Sequence, residues 1–140
     1  MKKTRTQLKR IGVLALVLSI YPVLVLIYTW SYVLRSDLEG GRHGPLDAYR
    51  HALASAVVSY TLDEKAVGIT TGLMESKGKQ SNTMDRHNNM IGAQIGSVAN
   101  TFTDIEPLVH KRVLVGAVNS TNINQITWLP AEKWRNAFLW

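Results

Sequence analysis

The chain is 140 residues long, 46% hydrophobic and 19% charged, which suits one small domain and excludes two. Its formal charge of +6 does not point to nucleic acid: Lys2, Lys3, Arg5, Lys9 and Arg10 supply +5 in the first ten residues, and the other 130 carry 11 basic against 10 acidic side chains. The absence of cysteine excludes disulfides, thiolate-bound zinc, iron–sulfur clusters and thiol nucleophiles.

After the basic residues 1–10, residues 11–34 run IGVLALVLSIYPVLVLIYTWSYVL without a charge. At about 1.5 Å per residue this is long enough to cross a bilayer as one helix. Pro22 removes a backbone donor in its middle, which a membrane helix tolerates, with a kink as the expected result. Tyr28, Trp30 and Tyr32 fall where aromatic rings favour the membrane–water interface. A cleaved signal peptide shares the basic-then-apolar order. The apolar run is longer than a signal peptide's, however, and Ser31-Tyr32-Val33-Leu34-Arg35 offers no small-x-small cleavage site. The excess of Lys and Arg before the span keeps the N-terminus in the cytoplasm and exports the rest, which in a Gram-negative cell means an inner-membrane anchor and a periplasmic domain.

Residues 35–45, RSDLEGGRHGP, read as a linker, and residues 46–140 as the exported domain. Pro45 suits a first helical turn, and Leu46, Tyr49, Ala52, Leu53, Val57 and Tyr60 follow at helical spacing. Thr61 to Glu64 fit a capping box for a second helix over about residues 62–76. A third helix is expected from Met84 to Ala99, with Gly92 and Gly96 forming a face that another helix can approach closely. A second capping box, Thr103 to Glu106, opens a shorter helix, and Pro130 starts a last turn. Polar, extended pieces near residues 119–129 suggest a small hairpin, so the class is mainly α with a minor β element.

The chemistry concentrates on two helices. Asp47 and His51 lie four residues apart on one face, with Arg50 beside them. Asp85, Asn88, Asn89 and Gly92 occupy the i, i+3, i+4, i+7 positions that normally carry an apolar stripe. Glu75 falls near the end of the intervening helix. Packing of the three helices brings Asp47, His51, Glu75, Asp85 and Asn89 together. His43 and His110 read as exposed histidines, and Trp128, Trp134, Phe138 and Trp140 as core aromatics or as anchors at the bilayer surface.

The strings Asp47-Ala48-Tyr49-Arg50-His51-Ala52 and Met84-Asp85-Arg86-His87-Asn88-Asn89-Met90-Ile91-Gly92 resemble the two signature blocks of a family of bacterial domains of unknown function, D-A-x-R-H-A and M-D-x-x-N-N-x-x-G. The resemblance covers roughly residues 43–96, with Glu75 in the place of an intervening acid. Members often occur within secreted or toxin-like proteins, which implies an enzyme only indirectly. This chain departs from them in having its own apolar N-terminal span.

Two functional expectations follow from the residues. In the first, Asp47, His51, Glu75 and Asp85 are catalytic in a hydrolase of the cell envelope. Asp47, His51 and Asp85 hold a divalent metal ion that activates water, and Arg50, Asn88 and Asn89 bind an anionic substrate. In the second, the same residues form a structural network inside a non-enzymatic envelope module that binds or excludes a partner, or confers immunity. The expected partners are the bilayer through residues 11–34 and an envelope substrate or protein.

Overall fold

Two rows of small residues set the packing of the helices in the computed structural model, which describes residues 2–68 and 80–136. Helix α2 (Pro45–Thr61) carries Ala48, Ala52 and Ala56 at intervals of four, all fully buried. Helix α3 (Gln80–Val98) lays Gly92 and Gly96 against them. A Cβ at Gly92 would stand 2.2 Å from the Ala52 carbonyl oxygen, and one at Gly96 2.1 Å from that of Ala56. No side chain fits there, so the two backbones touch. Both contacts advance four residues in the same sense, which makes α2 and α3 parallel.

The N-terminal helix α1 (Lys2–Val33) runs unbroken through Pro22. Its segment Thr6–Val33 has mean hydropathy 2.5, long and apolar enough to cross a membrane. The C-terminal part of that helix also belongs to the domain. Val25, Thr29 and Val33, four residues apart, are buried, and Tyr21, Tyr28, Trp30 and Tyr32 pack against the same core. The Tyr21 hydroxyl bonds that of Thr61, and the Arg50 guanidinium lies 5.5 Å from the centre of the Trp30 ring, so α1 and α2 are antiparallel. Tyr28 packs against Tyr32 and Phe102 at 5.0 Å between ring centres. The aromatic cluster expected at a lipid surface therefore docks α1 onto the domain.

The glycine-rich linker is folded. Leu46 N–H donates to the Glu39 carbonyl and Asp47 N–H to the Gly40 carbonyl, while Trp134 covers Gly40 and Gly44. Gly40 has φ +75°, and a Cβ there would meet Gly44 and the Trp134 ring within 3 Å.

Beyond Thr61, residues 64–68 are helical, within the second helix expected over 62–76. Their cap is Asp63, whose Oδ1 accepts from Lys65 N–H at 3.0 Å, whereas the Thr61 hydroxyl turns back to the Val57 carbonyl. α3 starts four residues before the expected Met84. The second capping box also lies earlier than expected: Asp104 Oδ2 accepts from both the backbone and the hydroxyl of Thr101. A 3-10 turn (Phe102–Asp104) leads into α4 (Ile105–Leu114), which buries Ile105, Val109 and Val113. Sequence spacing does not distinguish these caps, because Thr101, Thr103, Asp104 and Glu106 all suit the role.

The expected minor β element is present, but it is not a hairpin. β1 (Ala117–Val118) and β2 (Thr127–Trp128) pair in parallel, Ala117 opposite Thr127 and Val118 opposite Trp128. The chain reverses at Asn119 (φ +48°) and turns again over Asn122 to Gln125, so it returns in its original direction. Pro130 caps a 3-10 turn (Ala131–Lys133), and Trp134 Nε1 donates to the Leu129 carbonyl. Trp128 packs on the core; Phe138 and Trp140 lie outside the described residues.

The α2–α3 contact yields a direct contrast. Gly96→Ala is expected to destabilise the full chain by about 2 kcal/mol or more, because neither backbone can give way. Gly68→Ala, where a Cβ meets nothing within 4 Å among the described residues, should be neutral or stabilising by about 0.5–1 kcal/mol. Denaturant unfolding in detergent checks both.

Candidate functional site

The parallel register of α2 and α3 places their N-terminal turns side by side, and Asp47, His51 and Asp85 meet there. Among the described residues these three form a group whose potential ligand atoms all lie within 4.8 Å of one another. His51 Nε2 is 3.5 Å from Asp47 Oδ1 and 3.7 Å from Asp85 Oδ1. Tetrahedral coordination at bond lengths of about 2.1 Å requires donor separations of about 3.4 Å; the two edges from His51 are already close to this, and the carboxylate–carboxylate edge, within 4.8 Å, is the one that would have to close for the three to hold one ion. A carboxylate, a carboxylate and an imidazole suit zinc or manganese.

The two carboxylates have different surroundings. Asp47 is nearly sealed and fully bonded: its Oδ2 accepts the His43 N–H at 2.7 Å, and its Oδ1 accepts from Arg50 Nη2. It also sits in the first turn of α2, where the helix dipole favours an anion. Asp85 is about one-fifth exposed, and its Oδ1 is buried without a hydrogen-bond donor among the described residues. Burial pushes its carboxyl above the ordinary value of 3.8; the Asp47 charge adds to the rise, while His51, His43 and Arg50 oppose it. An oxygen kept dry and unpaired beside an imidazole is a poor structural element and a ready cation ligand.

His43 is a site residue that the sequence did not reveal. The folded linker places its backbone N–H on Asp47 and its Nδ1 3.9 Å from Asp47 Oδ2, with Nδ1 otherwise unpartnered. Its i, i+4 relation to Asp47 was the available signal. The positive φ that produces the contact, +65°, follows from the Trp134-covered loop and not from local sequence.

Two expected site residues stand elsewhere. Asn88 has no exposure and spends its amide on the backbone of Thr127, donating to its carbonyl at 2.8 Å and accepting its N–H at 3.0 Å. Asn89 is buried and accepts from Ser55 Oγ at 2.9 Å. Both asparagines fasten α3 to its neighbours and are not placed to bind a substrate. Glu75 lies outside the described residues. Of the remaining histidines, His87 bonds the Gln125 carbonyl at 2.8 Å and His110 packs edge-on to Tyr49. A shallow groove lined by Thr83, His87, Ser120 and Trp128 lies between α3 and the β1–β2 segment and does not include the triad. The triad reaches solvent directly through the partly exposed His51 and Asp85.

No known protein family matches this chain, nor does any curated protein or solved structure.

Two measurements test these assignments. Asn88→Ala should cost about 2–4 kcal/mol, since it strands both polar groups of the Thr127 backbone; a loss below about 0.5 kcal/mol would return Asn88 to the surface-binding role. The second concerns pH. The folded-state value of Asp85 exceeds its unfolded value, so its contribution to stability is complete below the unfolded value and is lost as pH rises through the raised one. In chelator, the stability of the native chain relative to Asp85→Asn is expected to fall through that interval and then level off. A pH-independent difference refutes the assignment.

Proposed function

We propose that this chain is a membrane-anchored domain that binds a divalent cation at Asp47, His51 and Asp85 outside the cytoplasm and uses it to hydrolyse an anionic envelope substrate. The observation that carries the reading is the convergence of the three donors around the unpaired Oδ1 of Asp85. A cation there would offset the charge that Asp85 gains on ionising and would lower the pKa of a bound water to make a nucleophile. Arg50, partly exposed beside the triad, supplies a guanidinium suited to a phosphate or a carboxylate. The D-A-x-R-H-A and M-D-x-x-N-N-x-x-G blocks contribute all three donors, and kinship with the family that carries them forms part of this reading. The orientation, with the N-terminus in the cytoplasm, rests on the basic residues at 1–10.

A second reading has its own support. Both oxygens of Asp47 are already engaged, by the His43 N–H and by Arg50, as in a structural ion-pair network of a non-enzymatic binding module. The two readings differ in the role of Arg50. As a competitor for Asp47 Oδ1, it would be displaced by a cation; as a structural partner, it holds the helix end together.

Metal titration of the full chain in detergent separates the readings. The expected result is one Zn²⁺ or Mn²⁺ per chain, abolished in His51→Ala and Asp85→Asn, with Arg50→Gln binding at least as tightly as the native chain. Metal-dependent cleavage of bis(4-nitrophenyl) phosphate, lost in the same two variants, would support the hydrolase. Absence of stoichiometric metal, together with a loss of roughly 3 kcal/mol or more in Arg50→Gln, would establish the structural network instead.

A further inference from the structure

The apolar helix α1 serves two purposes, and their lengths conflict. Its uncharged stretch covers residues 11–34, but Tyr21 already bonds Thr61, and Val25, Thr29 and Val33 are core residues. Free uncharged helix is thus confined to residues 11–20, ten residues or about 15 Å. If Lys9 and Arg10 extend their side chains back to the headgroups, the free length from Thr6 rises to about 22 Å, still short of a hydrocarbon core of about 30 Å. A span docked in this way reaches across only when the end of the domain around Thr61 enters the membrane.

That end has the composition required. Residues 52–62 of α2 and its C-terminus contain no charge, and neither do residues 88–103, which comprise the second half of α3 and the turn beyond it. The outer side of α1 stays apolar alongside them, with Val23, Leu24, Leu26 and Ile27 exposed. Leu62 and Val98, at the ends of the two helices, are 60% and 74% exposed. Tyr60 and Phe102, with ring centres 5.8 Å apart, supply aromatic groups of the kind that settle at the interface. Exposed Asp63, Glu64 and Lys65 after Leu62, and Asp104 and Lys111 in the groove that Val98 lines, border the uncharged surface and limit the depth, so the remaining mismatch is met by local thinning of the bilayer.

We propose that the base of the domain, formed by the C-terminal ends of α2 and α3 with Leu62 and Val98 outermost, is a lipid-contacting surface seated in the outer leaflet beside α1. This rests on the reading of α1 as a membrane anchor. The occupant is the bilayer and not a second copy, because the surface is continuous with the exposed side of α1 and the shortfall in span length disappears only against lipid.

The chain has no cysteine, so single cysteines at Leu62, Val98 and Ile123 place probes without background. Ile123 is an exposed apolar control in the loop between β1 and β2. The full chain is reconstituted in vesicles of phosphatidylcholine and phosphatidylglycerol, and the cysteines carry an environment-sensitive fluorophore. Probes at Leu62 and Val98 should be quenched several-fold more by nitroxide-labelled lipid than by aqueous iodide, and the probe at Ile123 the reverse. If the chain resists carbonate extraction while the probes at Leu62 and Val98 are as open to iodide as that at Ile123, the lipid-seated base is overturned and the anchor stands. Probes shielded from both quenchers, with energy transfer between copies, overturn it in favour of self-association. A chain stripped by carbonate overturns the anchor and the inference together.

Discussion

The close approach of α2 and α3 is the constraint on which the other features depend. Gly92 and Gly96 lie so near the carbonyls of Ala52 and Ala56 that neither helix can slide or rotate without steric conflict. The parallel direction puts both helix N-termini at one end, and the register sets Asp85 opposite His51 and Asn89 opposite Ser55. A slip of one turn would carry these side chains about 5.4 Å apart. Asn88 extends the same lock to the C-terminal segment by pairing with both backbone groups of Thr127.

Much of this was legible in the sequence because it depends on local periodicity. The charge-free stretch, the Pro45 helix start, the Gly92–Gly96 face and the placing of Asp47 and His51 on one face of their helix follow from spacing along helices, whereas of the five residues expected to converge Asp47, His51 and Asp85 meet, Asn89 turns to Ser55 and Glu75 lies outside the described residues. The failures have a common cause. Which of several eligible caps is used at Thr61–Asp63 and Thr101–Glu106 depends on the path of the next segment. Asn88 and Asn89 sit on a polar stripe that looks functional, but their partners, Thr127 and Ser55, come from distant parts of the chain. The loop at residues 35–45 carries every sign of flexibility and is fixed by Trp134, about ninety residues later.

The two carboxylates of the candidate site illustrate how environment divides similar groups. Asp47 has a helix dipole, a backbone donor and a guanidinium, so its charge is compensated. Asp85 has burial and a like charge nearby, with the His51 imidazole 3.7 Å from its Oδ1. Such an unequal pair is common where a group is retained for what it binds at the expense of what it contributes to folding. The Arg50–Trp30 contact adds a link of another kind, since it connects the polar cluster to the long apolar helix α1.

Helix α2 is also a ruler. His51 and Thr61 are ten residues apart on one rigid rod, about 15 Å along its axis. If the Thr61 end is seated in lipid, as proposed, the acidic cluster would be held at a set elevation over the bilayer surface, with α1 opposing its tilt. Selection at such a site would operate through reach. Groups lying flush with the acyl chains would pass beneath it, while those projecting from headgroups or carried on envelope polymers would arrive at its level.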